Sequence, residues 1–194
     1  MSGRVGQCQR MTSETDLSVV VNLDGTGVAK VSTGIGFLDH MLTALAKHSR
    51  IDIELKCVGD LHVDDHHTAE DSALGLGAAI DQALGDRAGV KRFGSAYAPL
   101  DEALARAVVD LSGRPFTSVG LGLARGMIGT LACENVGHFF SSMATAGRMT
   151  LHVDVIKGIN DHHRAEAAFK AVALALREAV RVEGGGVPST KGVL

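Results

Sequence analysis

The sequence is expected to fold as an α+β protein made of two duplicated β-β-α-β-α half-domains, with helices packed on one face of each sheet. Three observations carry that expectation. The motif His-His-x-x-Glu occurs twice, as His66-His67-Thr68-Ala69-Glu70 and as His162-His163-Arg164-Ala165-Glu166, 96 residues apart. A single histidine precedes each copy at a similar interval, His40 by 26 residues and His138 by 24. Between that histidine and the motif lies an alternating apolar–polar segment, the signature of a strand with one buried face.

The elements repeat in order. In the first half Val19, Val20, Val21 and Leu23 run into a Gly25-Thr26-Gly27 turn, and residues 28–32 form a second strand. In the second half Ala107, Val108, Val109 and Leu111 run into Gly113-Arg114-Pro115, and residues 116–121 follow. A helix with one histidine comes next: Phe37, Leu38, His40, Met41 and Leu42, matched by His138, Phe139 and Phe140. The alternating strands set Ile51, Ile53, Leu55 and Cys57 against Asp52, Glu54 and Lys56, and Met149, Leu151, Val153 and Val155 against Thr150, His152 and Asp154. Each half closes with a His-His-x-x-Glu helix; in the second, Phe169, Val172, Ala173, Leu176 and Val180 make a stripe at helical spacing. The expected organisation is a flexible N-terminus (1–9), a first half-domain (10–90), a second (91–183) and a C-terminal arm (184–194) hinged at Gly184-Gly185-Gly186.

Composition narrows the function classes. The 194 residues suit one domain or two small halves sharing a core. A net charge of −3 gives no basic field for nucleic acid, and no apolar run is long enough to span a membrane. The first ten residues hold no apolar signal core. Cys8, Cys57 and Cys133 are odd in number, widely spaced and outside any CxxC pattern, so they read as free thiols of a reducing, cytoplasmic compartment.

The histidines carry the chemistry. On a helix, residues i and i+4 share a face while i and i+1 diverge by about 100°. His66 and Glu70 are therefore expected to grip one metal ion, and His162 and Glu166 another. His67 and His163 must point elsewhere, and two helices related by a pseudo-two-fold axis would let each serve the other's metal. The sites would then be His66, Glu70 and His163, and His162, Glu166 and His67, with His40 and His138 as fourth ligands, one per site. Three imidazoles and a carboxylate suit Mn, Fe, Ni or Zn. Such a pair of sites serves a lyase, a metallohydrolase that activates water, or a shell protein stapled by metal. His48, His62 and His152 have no matched counterpart.

Two further stretches are specific: Gly34-Ile35-Gly36-Phe37-Leu38-Asp39-His40-Met41-Leu42, and the tail Pro188-Ser189-Thr190-Lys191-Gly192. Together with the two His-His-x-x-Glu segments they resemble the imidazoleglycerol-phosphate dehydratase family from Arg10 to Leu194. The resemblance implies two half-domains like the second domain of a small-subunit ribosomal protein. It also implies a homo-oligomer of 24 subunits with active sites between subunits, and two Mn²⁺ ions per active site. The implied reaction dehydrates imidazoleglycerol phosphate to imidazole-acetol phosphate in histidine biosynthesis, through a metal-bound imidazolate and a diazafulvene-like intermediate. Carried onto this sequence, the metal ligands are His40, His66, His67, Glu70, His138, His162, His163 and Glu166. Glu14 matches a substrate-site glutamate and is the carboxylate left to move a proton. Arg92, Arg114, Ser189 and Lys191 match positions that hold the substrate, chiefly its phosphate, for which a guanidinium offers forked donors.

Overall fold

The structure, a computed structural model, describes residues 3–192 and 194. The first unit runs β1 (Val5–Met11), β2 (Thr15–Asn22), β3 (Ala29–Ser32), α1 (Gly36–Ser49), β4 (Asp52–Gly59) and α2 (His66–Leu84). The second runs β5 (Phe93–Leu100), β6 (Ala103–Asp110), β7 (Phe116–Gly120), a short hairpin β8 (Met127–Ile128) and β9 (Leu131–Ala132), then α3 (Cys133–Ala146), β10 (Thr150–Lys157) and α4 (Asp161–Ala179). The two main sheets share one topology, β1-β2-β4-β3 and β5-β6-β10-β7. In each, the last strand is parallel to its neighbour and the other pairings are antiparallel. A helix joins each parallel pair, because strands running the same way need a long crossover. The duplication expected from the motifs is therefore present in the four main strands and two helices of each unit, with the β8–β9 hairpin added in the second.

Alternation fixes which face is inside. Leu17, Val19 and Val21 on β2, Ile53, Leu55 and Cys57 on β4, Ala105, Ala107 and Val109 on β6, and Leu151 and Val153 on β10 are buried. The pattern fails at the end of β10, where the register shifts between Val155 and Lys157; Val155 is only half-buried and Ile156 faces solvent. The helices cover the buried faces and then pack on each other across the halves, α2 against α3 and α1 against α4. The result is a sheet–helix–helix–sheet stack. At its centre Phe139 and Phe140 of α3 meet Phe169 of α4, with ring centroids 5.5 and 4.5 Å apart. All three are buried, each contributing about 1.5–3 kcal/mol by leaving water.

Each main sheet has one strand more than pattern reading finds, and it comes first. Residues 1–9 were expected to be flexible; instead Val5–Met11 pairs with β2 in unbroken register from Val5↔Asn22 to Met11↔Asp16. The cause of the miss is physical. On β1 the one buried position is Gly6, and on β5 the buried positions are Gly94 and Ala98, so neither strand shows an apolar alternation. Both glycines let the sheet approach an alanine-lined helix. A Cβ on Gly6 would overlap the Ala79 carbonyl oxygen of α2, and one on Gly94 the Ala175 carbonyl oxygen of α4. Backbone contact, not side-chain volume, seats these strands.

The tail does not leave the body at once. Gly184 and Gly185 take positive φ values of 83° and 87°. Yet Glu183 N donates to the Gly89 carbonyl at 2.8 Å, and Gly89 N donates to the Gly186 carbonyl at 3.1 Å. These bonds lay the chain beside the linker between the units. Among the described residues, no helix is long and apolar enough to cross a membrane.

Gly94→Ala should destabilise the protein by about 1–3 kcal/mol through overpacking, and Gly6→Ala by a similar amount. Gly36→Ala, where an added Cβ meets nothing within 4 Å, should not destabilise it. Thermal melting of the three variants checks this; equal melting temperatures would show that the strands are not held by close approach.

Candidate metal and anion sites

The helix pairing that crosses the halves also brings the histidines together. His66 and Glu70 on α2 meet His138 on α3, and His162 and Glu166 on α4 meet His40 on α1. In each group one candidate donor atom per residue lies within 4.8 Å of the others. Glu70 Oε1 is 2.9 Å from His138 Nε2. Glu166 Oε2 is 3.2 Å from both His40 Nε2 and His162 Nε2. The i, i+4 spacing on the long helix supplies a histidine and a carboxylate, and the opposite half supplies the second imidazole.

Local bonds hold these helices in place. Asp39 Oδ1 accepts from Thr33 N at 2.8 Å and Thr33 Oγ1 at 2.7 Å, anchoring the start of α1 beside His40. Asp64 Oδ1 accepts from His66 N, and Asn160 Oδ1 from His162 N, so each motif helix has its first turn capped by a residue just ahead of it. Asp65 Oδ2 accepts from Ala132 N at 2.7 Å, tying the α2 start to the α3 start. Within the clusters, Asn135 Oδ1 lies 2.9 Å from His66 Nδ1, and Lys170 Nζ lies 2.7 Å from Glu166 Oε1. Burial pushes the Glu166 carboxyl up, but the hydrogen bonds from Lys170 and His40 outweigh it and hold the group below its ordinary value. Neither Asn135 nor Lys170 stood out in the sequence. Their spacing, three residues before His138 and four after Glu166, was the available signal.

The odd histidines are not exchanged within the chain. His67 was expected beside His162 and Glu166, and His163 beside His66 and Glu70; the structure corrects both. His67 Nδ1 lies 3.0 and 3.2 Å from the Asp60 carboxylate oxygens. His163 Nδ1 lies 2.7 Å from Glu102 Oε2. Successive side chains on a helix diverge too far for α2 and α4 to reach across with both histidines. What crosses between halves is the single histidine, His40 or His138. Hydrogen bonds to Asp60 and Glu102 raise the His67 and His163 imidazoles above their usual value. Glu102 itself is lowered to about 2, first by the Asn160 backbone N–H and then by His163. Glu102 lies far from its motif in sequence, and Asp60, although just ahead of His66, belongs to no repeated pattern, so neither gave a signal.

Glu14 sits in the β1–β2 turn, exposed, with Oε1 3.7 Å from His67 Nε2. It therefore borders the odd histidine and joins neither cluster of its own chain. His48, His62 and His152 join no cluster either.

The four phosphate candidates do come together. Arg92, Arg114, Ser189 and Lys191 line one open recess of about 570 Å³, with Pro188 and Thr190. Arg92 Nε and Nη2 form a fork on Asp110 at 2.6 and 3.1 Å, and Nη1 donates to the Pro188 carbonyl at 2.7 Å. One arginine thus ties the tail down and stays oriented. The Arg114 guanidinium has no side-chain or backbone acceptor among the described residues, so its donors are open to an anion.

Most of the chain is similar to known proteins of one family. The family model for imidazoleglycerol-phosphate dehydratase matches residues 33–176. An imidazoleglycerol-phosphate dehydratase of Chlorobium luteolum is 57% identical over 95% of this chain and 92% of its own length. One from Phytophthora nicotianae is 62% identical over 98% of this chain, which spans 42% of that longer protein. The crystal structure of the Staphylococcus aureus imidazoleglycerol-phosphate dehydratase superposes with a TM-score of 0.83 at 37% identity, covering 92% of this chain and 99% of that one.

Arg114→Ala should weaken binding of inorganic phosphate about 10-fold or more, the worth of a charge-assisted hydrogen bond. Calorimetric titration checks it, with Arg106→Ala as the comparison, because Arg106 is bound to Asp154 outside the recess. Equal weakening in both variants would remove the recess as an anion site.

Proposed function

Because the chain belongs to the imidazoleglycerol-phosphate dehydratase family, we propose that its two histidine–carboxylate clusters hold the metal ions of a dinuclear Mn²⁺ centre. The family's activity is a hydro-lyase step of histidine biosynthesis, the dehydration of imidazoleglycerol phosphate to imidazole-acetol phosphate.

The donor spacing supports the metal reading. Ligands at roughly 2.0–2.2 Å from one ion, set at right angles, lie roughly 3 Å from each other. The Nε2···Oε separations of 2.9–3.2 Å fit that edge length. Each cluster supplies two imidazoles and one carboxylate from its own chain. The expected set has three imidazoles, so the odd histidine comes from a neighbouring subunit, and the active site is completed between subunits of a homo-oligomer of 24. The outward placement of His67 and His163 supports this. Their rings lie at 73° and 89° to those of His66 and His162, and their Nδ1 atoms are occupied by Asp60 and Glu102.

Bound Mn²⁺ supplies Lewis acidity to the substrate's imidazole ring. The residues of the chain do the rest. His40, His66, His67, His138, His162, His163, Glu70 and Glu166 act as ligands and orient the ring. Arg92, Arg114, Ser189 and Lys191 hold the phosphate end, fixing which carbon faces the reacting groups. The reaction removes one carbon-bound proton and one hydroxyl as water. Glu14 is the carboxylate that would take the carbon-bound proton, which leaves with the hydroxyl as water, because it stands beside His67 without being a ligand of either cluster. Three free cysteines, Cys8, Cys57 and Cys133, suit a cytoplasmic setting.

The observation that carries this reading is the paired His–His–Glu geometry. Protein loaded with Mn²⁺ should convert imidazoleglycerol phosphate to imidazole-acetol phosphate, and chelation should abolish turnover. Full activity after complete metal removal would overturn the metal-dependent reading, and no turnover with both ions bound would remove the dehydratase assignment.

A further inference from the structure

We propose that Asp60 and Glu102 are positioning residues that fix the ring tautomer of His67 and His163, so that each presents a bare Nε2 to metal. The inference rests on reading the clusters as metal sites. An ionised carboxylate only accepts hydrogen bonds. With Asp60 at 3.0 and 3.2 Å from His67 Nδ1, and Glu102 at 2.7 Å from His163 Nδ1, both rings must carry their proton on Nδ1. The lone pair then lies on Nε2, the atom that faces away from the carboxylate.

The two carboxylates are not copies of each other. Asp60 follows β4 and is bonded to the β1–β2 turn through Asp60 N and the Glu14 carbonyl, 3.1 Å apart. Glu102 lies in the β5–β6 turn and reaches the segment after β10, where Oε1 accepts from Ile159 N at 3.0 Å and Asn160 N at 2.8 Å. Each unit thus links the same two segments, but the carboxylate has moved from one to the other. The duplicated fold alone would not place an acid on both Nδ1 atoms. An incidental surface ion pair is worth little and would not be rebuilt from the opposite side. A second acid stands near each Nε2, Glu14 at 3.7 Å and Asp101 at 3.9 Å.

Glu102 gives the sharper test, because its other oxygen is already committed. In Glu102→Gln the two backbone N–H groups keep the amide oxygen, so the amide NH₂ turns to His163 Nδ1 and donates. The ring must then move its proton to Nε2. Nitrogen-15 NMR of histidine-labelled, metal-free protein at pH 8 should show His163 Nε2 bare in the unmodified protein and protonated in Glu102→Gln. Manganese titration should show one class of site weakened about 10- to 100-fold, as expected for loss of a group that orients a ligand. Glu102→Asp, which keeps the acceptor, should restore the original tautomer and most of the affinity. An unchanged tautomer in Glu102→Gln overturns the proposal, even if metal affinity falls. If the unmodified protein bound no metal, the cluster reading would fail, while the tautomer signal would still decide this one.

Discussion

The site depends on one packing constraint: the helices of the two halves face each other in crossed pairs. α2 lies on α3 and α1 on α4. Each pair brings a His-x-x-x-Glu face from one half against the lone histidine of the other. Neither half could build a three-donor cluster alone. Within the second half the buried Phe139–Phe140–Phe169 cluster ties α3 to α4, the two helices that face α2 and α1 of the first. The donor clusters and the packing of the halves here share one interface.

That constraint explains what could be read from the sequence. The duplicated motifs and the alternation on β4 and β10 reveal the repeat, because large side chains fill the core at every second position there. The i, i+4 rule puts His66 with Glu70 and His162 with Glu166 without any tertiary knowledge. Which helix faces which is a long-range fact, and no local pattern encodes it. For that reason His40 and His138 were recognisable as donors but not assignable to a cluster, and the exchange between halves was placed on His67 and His163. β1 and β5 escaped notice for the opposite reason: their inward positions are small residues, chosen for backbone approach. Glu14, Arg92 and Arg114 are unremarkable one by one, and only the family resemblance singled them out, whereas the Gly-hinged tail already marked Ser189 and Lys191 as a hydroxyl and an ammonium group on an arm.

The electrostatics divide the molecule's polar work cleanly. Glu166 is held ionised by Lys170 and His40, and Glu102 by backbone N–H groups and His163. Arg92 is committed to Asp110 and the tail, whereas Arg114 and Lys191, which line the same recess, have no carboxylate partner among the described residues. The His40 ring is exposed, and His162, His67 and His163 are half-buried.

The central claim is that each crossed cluster holds its own ion. Metal analysis of the unmodified protein, Glu70→Gln and Glu166→Gln after Mn²⁺ loading and desalting tests it most directly. Two ions per chain are expected for the unmodified protein, and about one for each variant, with the fold retained by circular dichroism. Two ions in either variant, or loss of both from a single substitution, would contradict the account.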